Sequence, residues 1–141
     1  MKTILKTTLF ISIILSIVTA CDPIFDLRIH IENKCDAPIA IRATVVAQDA
    51  AEDDIVLDNG VGVIPILDTI QPQQSKMITS HIDFGGGFKK QDIAVIIHTL
   101  KISKNEVEMA NPLDLSKWQF VHTSRYTYDA TLTVLPADFG E

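Results

Sequence analysis

Asp26-Leu27-Arg28-Ile29-His30-Ile31-Glu32-Asn33, followed five residues later by Ile39-Ala40-Ile41-Arg42-Ala43-Thr44-Val45-Val46-Ala47, decides the fold. In the first segment Leu27, Ile29 and Ile31 alternate with Arg28, His30 and Glu32. In the second, Ile39, Ile41, Ala43, Val45 and Ala47 alternate with residues that include Arg42 and Thr44. Successive side chains of a strand point to opposite faces, so this period of two marks two strands, each with one buried face. Between them Lys34-Cys35-Asp36-Ala37-Pro38 reads as a turn, and the two strands are expected to pair as a hairpin.

Working outward, the same signals recur at short spacing. An acidic loop (Asp49, Glu52, Asp53, Asp54) precedes the strand Ile55-Val56-Leu57, and Asp58-Asn59-Gly60 reads as a turn that tolerates positive φ. Residues 61–67 form an apolar strand that Pro65, lacking an N–H, confines to an edge or bulge. Residues 68–74 read as a loop, and 76–84 as a strand with Ile78, Ile82 and Phe84 inward. Gly85-Gly86-Gly87 breaks the chain, and 93–102 reads as a central strand. Asn111-Pro112 suits an N-cap with proline at the first helical position, leading into one helical turn through Trp118. Tyr126, Tyr128, Ala130, Leu132 and Val134 then alternate with polar residues. About seven strands with almost no helical periodicity predict an all-β fold: a single antiparallel β-sandwich, immunoglobulin-like or transthyretin-like, with one short helical turn.

The N-terminal stretch has a different character. Residues 1–20 hold Lys2 and Lys6, no acidic residue, and the run Leu9-Phe10-Ile11-Ser12-Ile13-Ile14-Leu15-Ser16-Ile17-Val18. A basic start, an apolar run of about ten residues and a small residue at the end make a signal peptide. The run is well short of the roughly 20 residues a spanning helix needs. Val18-Thr19-Ala20-Cys21 resembles the lipobox of bacterial lipoproteins. The resemblance implies that the Cys21 thiol carries a diacylglyceryl group, that the signal is cut before it, and that the new amine is acylated. One acyl chain binds a membrane marginally and two hold it stably. Val18-x-Ala20 also suits ordinary cleavage, which would leave Cys21 to bond Cys35, the only other cysteine. A disulfide needs Cα atoms within about 7 Å, whereas the extended segment 26–33 separates the two. The reading adopted is a lipidated Cys21 and a lone Cys35. The chain then divides into a signal peptide (1–20), a lipidated N-terminus with a short tether (21–25) and a β-sandwich domain (26–141). So short a tether is expected to hold the domain close to the bilayer. The segment 27–47 with its Asn33 and Pro38 turn, and the loop 70–75, resemble parts of small bacterial lipoproteins with sandwich domains.

Loss of residues 1–20 removes Lys2 and Lys6 and none of the 18 acidic residues, moving the formal charge from −6 to −8. A net negative surface argues against nucleic acid and against electrostatic adhesion to anionic lipid. Four histidines (His30, His81, His98, His122) fall on four separate segments, without the close pairs that zinc sites favour. His98 shares the parity of Ile96, Leu100 and Ile102 and is expected to face inward. The acidic stretch from Asp49 to Asp58 could offer carboxylates to calcium. It lacks the alternate ligands, central glycine and closing glutamate of an EF-hand loop, so a solvated loop is expected. Gly85-Gly86-Gly87-Phe88-Lys89-Lys90 lacks the Gly-Lys-Ser/Thr ending of a phosphate-binding loop. There is no Gly-x-Ser-x-Gly elbow, and Cys35, beside Lys34 at an expected exposed turn, is the one reactive candidate. No catalytic, metal or cofactor site is assigned, and the chain is read as not an enzyme. Trp118, Phe120 and Tyr126, with Tyr128 nearby, are read chiefly as packing residues, and the first three double as candidates for contact with a partner. The functional expectation is a membrane-anchored envelope lipoprotein, held by lipid on Cys21, acting as a non-catalytic binding or assembly module for an envelope protein or glycan. The alternative is an envelope enzyme or enzyme inhibitor with its site on the sandwich loops.

Overall fold

Leu27, Ile29 and Ile31 are fully buried along strand β1 (Ile24–Asn33), and Ile39, Ile41, Ala43 and Val45 are buried along β2 (Ile39–Val46). These two apolar faces meet in the core of a two-layer sandwich. The computed structural model describes residues 23–47, 55–56 and 62–141. The signal segment, Cys21, the acidic loop and the Asp58-Asn59-Gly60 turn lie outside the described residues. The remaining elements are β3 (Ile55–Val56), β4 (Gly62–Ile70), β5 (Ser75–Phe84), the helical turn α1 (Asp92–Ile96), β6 (Ile97–Lys104), β7 (Val107–Glu108), a 3-10 turn at Leu115–Lys117, β8 (Trp118–Ser124), β9 (Thr127–Val134) and a second 3-10 turn at Pro136–Phe139. One sheet has the order β5-β1-β9-β8 and the other β3-β4-β2-β6-β7.

The expected hairpin between the first two strands does not form: β1 and β2 lie in opposite sheets. The reason sits in the corner between them. The buried Asn33 donates through Nδ2 to the carbonyls of Ala37 (2.9 Å) and Ile70 (3.0 Å) and accepts at Oδ1 from the Cys35 N–H (2.9 Å). Those bonds turn the chain out of one layer and into the other, where both apolar faces can be buried at once. A pair of strands in one sheet would instead have left the core one-sided. β1 is flanked by β5, antiparallel, and by β9, parallel, the one parallel pair among the described strands. The sandwich is therefore not wholly antiparallel.

Two β-bulges reverse expected side-chain directions. Thr79 lies opposite Ile29 and Met77 opposite His30, so Ile78 is the extra residue. From there on, parity flips: His81 faces the core side opposite Leu27, while Ile82 and Phe84 stand on the outer face. Of the three side chains expected inward on this strand, only Ile78 packs against the core. The second bulge makes His98 the extra residue between Ile97, opposite Val45, and Thr99, opposite Thr44. His98 is exposed rather than inward. One added residue is enough, because the side-chain period is two.

The apolar run expected as one strand over 93–102 is split. Ile93 and Ile96, three apart on α1, are buried on one side of a single turn, and the strand starts only at Ile97. The Asp92 carboxylate accepts the Lys89 N–H at 2.6 Å, which closes the turn at its start. Near the other helical expectation, the cap is Asp114 rather than Asn111: Asp114 Oδ1 accepts from Ser116 N–H at 2.9 Å, and Asn111 has φ 49. β4 extends to Ile70, leaving only Gln71–Gln74 outside the strands there. Pro65 pairs with Thr44 on one side, and β3 reaches only Gly62 and Val63 on the other, so the proline does occupy an edge. β7 and β8 are additional to the strands expected from the sequence.

Candidate functional site

Strand directions define two ends. β1 begins, β5 ends, β8 passes to β9 and α1 packs at one of them; the β1–β2 corner, the β6–β7 turn and the end of β9 lie at the other. The first end is aromatic. The register sets Tyr128 of β9 on the inner side beside Leu27 of β1 and His122 of β8. Its ring stacks on His122 (centroids 4.5 Å, 10° between planes) and on Phe120 (5.6 Å, 24°). Phe88 meets it edge-on at 6.1 Å and Phe25 tilted at 6.2 Å. Phe25 in turn meets Tyr126 edge-on at 5.7 Å, and the Arg125 guanidinium lies 5.2 Å from the Tyr126 centroid. Offset and edge-to-face pairs of this kind contribute about 0.5–1.5 kcal/mol each beyond area burial.

The loop after β5 closes over this cluster because of Gly87. Its φ is +66, and a Cβ there would stand 2.9 Å from the Tyr128 hydroxyl and 3.6 Å from the Phe25 ring. Beside the cluster opens a cleft of about 330 Å³ lined in part by His81, Asp83, Phe88, Asp92 and Val95. The His81 ring meets Phe88 edge-on at 6.3 Å. Burial holds the imidazole below its ordinary pKa, against an opposing pull from Asp83, so it stands neutral at pH 7 as donor and acceptor. Both carboxylates already accept backbone N–H groups, Asp83 from Gly86 (3.2 Å) and Asp92 from Lys89 (2.6 Å). The cleft offers an imidazole, two oriented carboxylates and an aromatic wall, a surface suited to polar and ring contacts. Among the described residues no three His, Cys, Asp or Glu side chains converge as metal ligands.

The sequence candidates part company here. Phe120 and Tyr126 join the aromatic end, through Tyr128 and Phe25 respectively. Trp118 does not: it is 2% exposed, its ring N–H donates to the Pro112 carbonyl at 2.9 Å, and it presents no surface to a partner. Of the histidines, His81 and His122 come to the cluster, His30 lies 3.6 Å from Asp129 on the outer face, and His98 sits on its bulge. Phe25, Phe88, His81 and His122 are absent from the sequence candidates for partner contact. The alternation Trp118-Gln119-Phe120-Val121-His122 carried a legible signal for β8; the meeting of Phe25 with Phe88 and Tyr128 did not.

At the opposite end, Cys35 is fully buried, not exposed, with its Sγ 3.9 Å from the Val134 carbonyl and no disulfide among the described residues. Burial raises its thiol pKa, outweighing the nearby Lys104. Lys34, expected to activate it, pairs instead with Glu32 at 2.7 Å. Lys104 has a buried side chain whose Nζ donates to Asp36 (2.9 Å) and to Glu141. The two carboxylates, Glu141 first, hold its pKa above the usual lysine value.

Comparison of the chain with protein-family models, curated proteins and solved structures finds no match.

Proposed function

We propose that this chain is a membrane-anchored envelope lipoprotein in which the β-sandwich serves as a non-catalytic binding or assembly module. Anchoring rests on Val18-Thr19-Ala20-Cys21, placed directly after an apolar run. The observation that carries the binding reading is the incomplete burial of the aromatic end. Tyr126 is 40% exposed there, and its neighbours along β8 and the turn to β9 are exposed as well. Aromatic side chains so placed supply contact area at low entropic cost. The partner is an envelope protein or a glycan, met by Phe120 and Tyr126. The sandwich is assigned to the immunoglobulin-like or transthyretin-like class.

Two measurements test this. Cys21→Ser should abolish lipidation and block processing, read by mass of the N-terminal peptide and by membrane fractionation; normal retention and maturation of the variant would refute the anchor. A photo-cross-linking residue replacing Tyr126 in intact membranes should trap a discrete partner, whereas the same residue replacing Val107 at the opposite end should not. Equal yields from both positions would remove the binding assignment.

A second reading, an enzyme or inhibitor at the envelope, draws on the cleft that places His81 with Asp83 and Asp92. It requires that His81→Asn remove activity or inhibition while leaving partner capture at Tyr126 intact.

A further inference from the structure

Ile24 and Phe84 are register partners at the outset of β1 and the finish of β5, on the outer face, and they are 56% and 67% exposed. Val95, on α1 at the same end, lines the cleft with Asp83 and is 69% exposed. Burying these side chains would be favourable, and several of them at one end of a small domain mark a contact surface. The opposite end also exposes Val107 and Leu135, but the covalent anchor is not there, and its corner closes on the Asn33 hydrogen bonds and the Lys104 ion pairs.

The covalent path says what covers this apolar rim. The Gly85 N–H donates to the Pro23 carbonyl at 3.0 Å, so the fold holds the chain as far out as Pro23. Asp22 is then the single residue between the held chain and Cys21. Three residues span at most about 11 Å from Cys21 to Ile24. Given the lipid anchor proposed above, on which this rests, the acyl chains enter the bilayer within that distance of Ile24, with its register partner Phe84 one strand further on. We infer that the bilayer surface is the occupant of this rim: Ile24, Phe84 and Val95 settle into the headgroup–acyl boundary, with the β5 side of the sheet lowermost, the β8–β9 turn at the sheet's other side left open to the partner, and the Asn33–Lys104 end toward solvent. Charge does not drive the seating. Ala47 and Gly62, which flank the acidic stretch, are bonded to each other at this same end (Ala47 N–H to Gly62 carbonyl, 2.9 Å). The contact is apolar and belongs to the boundary region of the membrane.

The test uses the full-length, processed protein reconstituted in zwitterionic phosphatidylcholine vesicles containing brominated lipid. The native Trp118 is buried and supplies a constant background. Phe84→Trp and, separately, Val95→Trp are expected to give blue-shifted emission that brominated lipid quenches; Val107→Trp, at the far end, is expected to give neither. Both rim positions are exposed, so either variant can stand in if the other folds poorly. Mass of the N-terminal peptide is read in parallel. Acyl mass on Cys21 without quenching at either rim position overturns the seating and leaves the anchor standing. Equal quenching at all three positions overturns the orientation. Absence of acyl mass overturns the seating together with the anchor.

Discussion

Where β1 turns into β2, polar groups that leave water all find partners: Asn33 in three hydrogen bonds, Lys104 between two carboxylates. Where β1 begins, rings stack on one another, and the fold itself leaves Phe84 and Val95 uncovered. Both ends close the gap between two sheets, but by different chemistry. Hydrogen bonds in a buried corner are directional and penalise any rearrangement, because an unpaired buried group costs about 1–3 kcal/mol. Ring stacking is softer and tolerates new neighbours. One end is thus held by directional bonds and the other by ring contacts that a neighbour can join.

The harshest way to break both ends together is through the core they share. Leu132, fully buried on β9 between Ile31 and Trp118, becomes an unpaired buried carboxylate in Leu132→Asp. A penalty of several kcal/mol stands against a total stability of about 5–15 kcal/mol. The variant is expected to be largely unfolded by circular dichroism. A melting temperature within a degree or two of the parent would show the face assignment to be wrong.

Next in size is Asn33→Ala at the closed end. It strips the Ala37 and Ile70 carbonyls and the Cys35 N–H of their partner. A loss of about 2–4 kcal/mol, roughly 10 °C in Tm, is expected. Hydrogen exchange should speed up at the corner first and leave the aromatic end protected, which sharpens the contrast; uniform acceleration would erase it.

At the soft end, Gly87→Val places a branched side chain at positive φ against the Tyr128 hydroxyl. About 1–3 kcal/mol of strain is expected. The signature is a shift in the ring resonances of Tyr128 and His122 with those around Asn33 unmoved.

The smallest effects separate the ends by pH. His81 has a folded pKa below its ordinary 6.5 because it is buried. The unfolded chain therefore binds a proton first as pH falls, and stability is lost below about 6.5. Cys35 has a folded pKa above its ordinary 9.0, again through burial. Its contribution is present below that value and is lost as pH rises through it. Denaturant titrations across pH should show an acid limb that His81→Phe flattens and an alkaline limb that Cys35→Ala flattens. If either substitution changes the limb assigned to the other, the two ends are not independent units.

Strands at 24–33, 39–46 and 127–134 were legible because their alternation is local: the residue two places on tells the same story. The bulges at Ile78 and His98 were not, since an extra residue exists only relative to a partner strand. A parity count along 76–84 thus sent Ile82 and Phe84 to the wrong face. The hairpin expectation failed for a similar reason, because Asn33 acts through Ile70, far along the chain. The aromatic end was half legible. Phe120 and Tyr126 lie among neighbouring aromatics in the sequence, but Phe25 and Phe88 reach Tyr128 only through the sheet order.

The parallel pairing of β1 with β9 has a consequence for the order of events in folding. Asp26 lies beside Thr127, so the central pair of one sheet joins residues roughly a hundred positions apart, and closing so long a loop is slow. A chain emerging from its N-terminus presents β1 with one flank vacant until β9 arrives. The early strand must wait, with one backbone edge unpaired, for the last one. The second sheet and the β1–β5 pair lie wholly before Thr127, so a chain stalled there holds one complete sheet and one with an open edge.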